Sequence, residues 1–118
     1  MNNQLNNNPN GQIVFYNYDY KKASIIIHAV HHKLRQEIIK VVENNPNIIV
    51  TEIYKKLRVE QSTCSQHLAV LRRVGILKTI KQGKNVMYSV NYKRIEDINH
   101  CVNELIKNAK DYEMENTF

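Results

Sequence analysis

Gln61, Ser62, Thr63, Ser65 and Gln66 place five hydrogen-bonding side chains within six positions, with Arg73 further along. A glutamine amide offers a donor and an acceptor together, and a hydroxyl can be either, which suits reading the edges of bases in a major groove. Lys81, Lys84 and Asn85 surround Gly83, and lysines there can neutralise phosphates without reading sequence. A second group is His28, His31 and His32, spaced i, i+3, i+4, where imidazoles on one helix can share a metal ion. A third is the cysteines, Cys64 and Cys101, too far apart for a CxxC zinc site and too few for a disulfide framework.

The charge of the chain favours the first group. Net charge is +6, but residues 51–94 hold ten basic and two acidic side chains, +8, while residues 95–118 hold two and six, −4. A basic field so concentrated points to a polyanionic partner, double-stranded DNA given the side chains it surrounds. Catalysis finds no support. There is no P-loop, no GxGxxG and no nucleophile–base–acid constellation, and the chain holds three glycines from which to build loop machinery.

These side chains need elements to hold them. The length of 118 residues and an apolar content of 42% suit one globular domain. Residues 1–15 are expected to be a disordered arm, since six of the first ten positions are asparagine. Residues 16–118 then form the folded domain. Helical spacing predicts helices over 18–31, 33–43, 51–57, 61–74 and 93–113, with Asn44-Asn45-Pro46-Asn47 as a breaker and Gly75 as a stop. In the fourth helix Leu68 and Leu71 fall within about 40° of Cys64, and Ser62, Gln66, Ala69 and Arg73 fall opposite. Cys64 therefore reads as a small buried hydrophobe, and His67, about 60° off that stripe, as a packing and hydrogen-bonding residue.

The third and fourth helices, joined by Arg58-Val59-Glu60, have the helix-turn-helix pattern. Residues 76–81 and 86–90 read as a hairpin around Gly83, and Tyr88 and Tyr92 as core and hinge tyrosines. On the last helix Ile95, Ile98, Val102, Leu105, Ile106 and Ala109 form a stripe too apolar for a terminal helix left in water, so paired last helices are expected. No stretch of about 20 apolar residues could span a membrane and there is no secretory signal pattern, so a cytoplasmic protein without a membrane partner is expected.

The stretch VEQSTCSQHLAVLRRVGILKTIKQGKNVMY, residues 59–88, closely resembles the ArsR/SmtB family of bacterial winged-helix regulators. The residues carrying the likeness are Gln61, Ser62, Ser65, His67, Leu68, Leu71, Gly75, Gly83 and Tyr88, with Ala29-Val30 and Leu34-Arg35 upstream. The resemblance implies a winged helix-turn-helix, mainly α with a β-hairpin: five helices plus a two-stranded wing. It also implies a homodimer through the first and last helices, here Ile25, Ile26, Ile95, Ile98, Val102, Leu105 and Ile106. The fourth helix would enter the major groove and the wing would touch the flanking backbone. The expected function is sequence-specific DNA binding by a transcription regulator of the repressor type.

Many members of the family release DNA when a metal or another effector binds. One family metal site would fall on Ile49 and Thr51, and another on Asp97-x-Asn99 and Lys110-x-x-Glu113. Neither set suits a transition metal, because Ile49 offers no donor, Thr51 a weak one, and Asn99 and Lys110 are poor ligands. No cofactor is expected, and a small-molecule or ionic effector stays unidentified. Three alternatives stay open: a metal sensor using His28, His31 and His32, a redox sensor using Cys101, and a winged helix turned to protein contacts.

Overall fold

Every fourth or third residue of 33–44 is apolar, and that row faces inward: Ile38 and Val42 of α2 (Lys33–Asn44) are buried. The computed structural model describes the backbone of residues 17–116 and the side chains of residues 21–108. The asparagine-rich segment 1–15 and the side chains of Ala109, Lys110 and Glu113 lie outside the described residues. Before α2 comes α1 (Asn17–Val30), and after it α3 (Val50–Leu57) and α4 (Gln61–Arg73). Strands β2 (Leu77–Gln82) and β3 (Asn85–Val90) form the hairpin, and α5 (Tyr92–Asn116) closes the chain. Helix ends differ from the spacing-based ranges by up to three residues, the largest change being the longer α5.

The sheet has three strands rather than the two expected. Strand β1 (Ile48–Ile49) pairs antiparallel with β3, giving the order β1-β3-β2. Asn47, left-handed at φ 63°, turns the chain out of the Asn-Pro breaker and into this strand. Ile48 faces Tyr88 on the buried side and Ile49 faces Met87 on the outer side. Two residues are too few to display an alternation, so the strand is invisible to periodicity.

The core lies where α2, α3 and α4 meet the inner face of the sheet. Ile38, Ile53, Leu68, Leu71 and Ile76 are its largest fully buried side chains. Among the described residues no helix is long and apolar enough to cross a membrane. Tyr88 is buried in the core, and Tyr92, expected as the hinge tyrosine, is 59% exposed at the first position of α5, just after β3.

Candidate nucleic-acid interface

The turn between α3 and α4 is held by its backbone. The amide of Arg58 donates to the Lys55 carbonyl at 3.3 Å, and that of Val59 to the Tyr54 carbonyl at 3.1 Å. This is the Schellman pair that closes a helix, with Arg58 left-handed at φ 57° where glycine is usual. Nothing in the sequence signals it, since arginine has no preference for that conformation. The turn redirects the chain so that α4 starts at Gln61, with extended Glu60 before it.

Helix α4 separates its residues as the spacing predicts. Cys64, Leu68 and Leu71 are buried, whereas Gln61, Ser62, Ser65, Gln66, Ala69, Arg72 and Arg73 are exposed. Thr63 is half-buried at the margin. The exposed row contains no carboxylate, the first turn carries no acid and the last turn is basic. Burial pushes the Cys64 thiol up, away from the thiolate range, so it packs as a hydrophobe.

The end of α4 launches the wing. Gly75 donates to the Arg72 carbonyl and Ile76 to the Leu71 carbonyl, both at 3.0 Å, a second Schellman closure with Gly75 at φ 83°. Arg94 of α5 reinforces it by donating from Nε to the Val74 carbonyl at 3.0 Å. From there β2 and β3 run in register from Leu77–Val90 out to Gln82–Asn85. That carries the tip roughly 17 Å from the turn. Gly83 takes φ 62° at the first central position of a two-residue turn, the place where a type II′ turn wants glycine. Lys81, Lys84 and Asn85 are exposed there.

Behind α4, a polar cluster ties it to α1 and α2. Arg35 donates from Nε to His67 Nδ1 at 3.0 Å and from Nη1 to the Ala29 carbonyl at 3.3 Å. The His32 ring lies 4.7 Å from that of His67, and its Nδ1 accepts a long bond of 3.5 Å from the Arg35 amide as the cap of α2. Burial first, then the electrostatic influence of the neighbouring His32 ring and Arg35 guanidinium, hold His67 below the ordinary histidine range. His67 thus has the packing and hydrogen-bonding environment expected of it. Its partner Arg35 could not be found from sequence, because 32 positions separate them.

The three candidate metal histidines do not converge. His28 lines a shallow cleft with Arg35 and Val70, while His31 lines a different one with Val102 and Leu105. His32 spends its Nδ1 as a helix cap. The reason is the break between α1 and α2, which ends the helical spacing on which the i, i+4 argument relied. Among the described residues no three His, Cys, Asp or Glu side chains are grouped to hold a metal ion.

Helices α1 and α5 present an apolar surface. Leu105 is 61% exposed, Ile106 48% and Ile27 43%. With Ile26, Ile98 and Val102 these side chains line two adjoining grooves. Ile95, half-buried, lines a third groove against α2. Ile25 lies elsewhere, beside Val70 on the α4 side, and Ile27, which the sequence reading passed over, faces α5. Cys101 is an exposed free thiol at the edge of the same surface.

The pattern that defines bacterial regulatory proteins of the arsR family matches residues 32–79, from the α2 cap into β2. An uncharacterized HTH-type transcriptional regulator of Methanocaldococcus jannaschii, MJ1325, is 34% identical over 86 residues, covering 73% of this chain and 97% of the relative. The transcriptional repressor PagR of Bacillus anthracis is 31% identical over 80 residues, 68% of this chain and 80% of PagR. The PagR crystal structure superposes with a TM-score of 0.58, covering 71% of this chain and 97% of that one. An ArsR-like regulator from Rhodococcus sp. RHA1 shares the fold at a TM-score of 0.70 and 17% identity, covering 83% of this chain and 91% of that chain.

Proposed function

The chain belongs to the arsR family of bacterial regulatory proteins and is a DNA-binding transcription regulator, and we propose that it acts as a cytoplasmic homodimeric repressor. In this reading the exposed row of α4, Gln61, Ser62, Ser65 and Gln66 with Thr63 at its margin, meets base edges in the major groove. Arg73, Lys81, Lys84 and Asn85 meet phosphates on either side. The observation that carries it is the composition of that row: hydrogen-bonding and basic side chains, no carboxylate, set directly over a fully buried stripe. A helix so fixed can carry side chains into a groove without exposing its own core.

The dimer reading rests on the α1 and α5 surface. Burying a Leu or Ile contributes about 1.5–3 kcal/mol, so Ile27, Leu105 and Ile106 left in water favour association. Along the chain the charge divides, +8 over residues 51–94 and −4 over residues 95–118, which suits a dimer joined through the last helix and meeting DNA through α4 and the wing. Selection of duplexes from a random pool, followed by footprinting, tests the reading. Enrichment of a two-fold symmetric site is the expected outcome, and no enrichment would overturn it.

A further inference from the structure

Arg35 links three helices by hydrogen bonds. Its Nη1 donates to the Ala29 carbonyl near the end of α1, its backbone lies in the first turn of α2, and its Nε reaches His67 near the middle of α4. His67 lies between the buried Leu68 and the exposed Gln66, so holding it adds a polar constraint on the rotation of α4 to the one its buried stripe imposes. A base contact tolerates little such rotation, since productive geometry holds only within about 10–20°.

The bond defines the protonation state as well. Nδ1 accepts from a guanidinium that can only donate, so the proton of the neutral ring is on Nε2. A second proton on Nδ1 would set donor against donor and cation against cation.

We propose that Arg35 is a positioning residue for DNA reading, fixing the rotation of α4 through His67, and that this link opens when His67 takes up a proton. The inference rests on the reading of α4 as the helix that meets base edges.

Among the described residues, none of the groups that act on His67 is a carboxylate that would stabilise an added proton. From α2 come His32 and Arg35, and from α1 His28, beside Arg35 in the cleft with Val70. On α3, Glu52, Lys55 and Lys56 are exposed, and on α4 itself the charged residues are Arg72 and Arg73, also exposed. The groups that act on His67 are His32, at the cap of α2, and Arg35, and both disfavour its protonation. Acid should therefore weaken specific binding, although protonated histidines elsewhere add positive charge and would on their own tighten any DNA contact.

The test uses a duplex enriched by the wild-type chain at about pH 7.5 and an unrelated duplex of equal length, each titrated by fluorescence anisotropy down to about pH 5.5. For the wild type, the ratio of the two affinities should fall about tenfold on acidification, the loss of roughly one good base contact. His67→Gln keeps an acceptor for Arg35 that does not titrate, so its ratio should stay level. Arg35→Met should show the lowered ratio already at the higher pH. A wild-type ratio indifferent to pH, or a His67→Gln profile that follows the wild type, would overturn the positioning role alone. So would parallel loss on both duplexes, the mark of acid unfolding. Failure to enrich any duplex at the higher pH would overturn the DNA reading and this inference with it.

Discussion

Gln66 and Lys84 differ in what their loss should do, because one side chain can discriminate among bases and the other cannot. Gln66→Ala should cost about 1–3 kcal/mol on an enriched site and relax discrimination at one base pair. Lys84→Ala should weaken enriched and unrelated duplexes alike and reduce the salt slope by about one. Indistinguishable effects of the two changes would mean that α4 does not read bases. Arg58 is a second case, a charged residue in the left-handed backbone of the helix-turn-helix turn. Arg58→Gly should raise stability by roughly 1 kcal/mol in thermal unfolding while removing one cation beside α4. A lower melting temperature would show that the arginine side chain, not its backbone, decides that position. His67 gives a pH dependence whose sign is fixed. Its folded value is held below the usual one, so the unfolded chain takes up this proton first. Stability from this group is full at neutral pH, declines as pH drops below about 6.5, and levels off beneath the folded value. Urea unfolding of wild type against His67→Gln should show a stability difference that changes in that window. A difference that stays constant across it would contradict the environment assigned to His67.

At the scale of elements, what the sequence displays depends on how many residues an element has. Helices α2 and α4 are legible because their apolar stripes repeat over three turns, and the hairpin because Gly83 marks its turn. Strand β1 has two residues and repeats nothing, so only its pairing with β3 discloses it. The exposed row of α4 follows from its spacing alone, since a helix with one buried stripe must turn the opposite stripe outward. The Arg35–His67 bond could not follow, because it joins side chains from separate helices whose packing angle no local pattern encodes. Among the described residues the three histidines are not brought together, for a related reason: spacing is meaningful only while the helix continues, and here α1 ends at Val30. Gly75 joins two elements at once. An added Cβ would sit 3.3 Å from Arg94 Nε in a left-handed backbone, so Gly75→Ala should destabilise the fold by about 1–2 kcal/mol. It should also disturb the bond from Arg94 to the Val74 carbonyl, which sets the α4 end against α5. Unchanged thermal stability would refute this account of the junction.

For the whole molecule, the two surfaces have opposite chemistry. One is basic and polar, built from α4 and the wing; the other is apolar, built from α1 and α5. Leu105→Asp puts a carboxylate on the second without touching the first, and should give monomers in sedimentation equilibrium. Those monomers should lose affinity for a two-fold site and keep a weaker, salt-sensitive affinity for half of it. The central claim is that this surface of α4 and the wing recognises a DNA sequence. Its most direct test is the affinity of the wild-type chain for an enriched duplex and a scrambled one across a range of salt. A preference of at least about 10³ for the enriched duplex, with both affinities falling steeply as salt rises, is the result expected of phosphate contacts plus base reading. Equal affinity for the two duplexes, or binding that salt leaves unchanged, would contradict it.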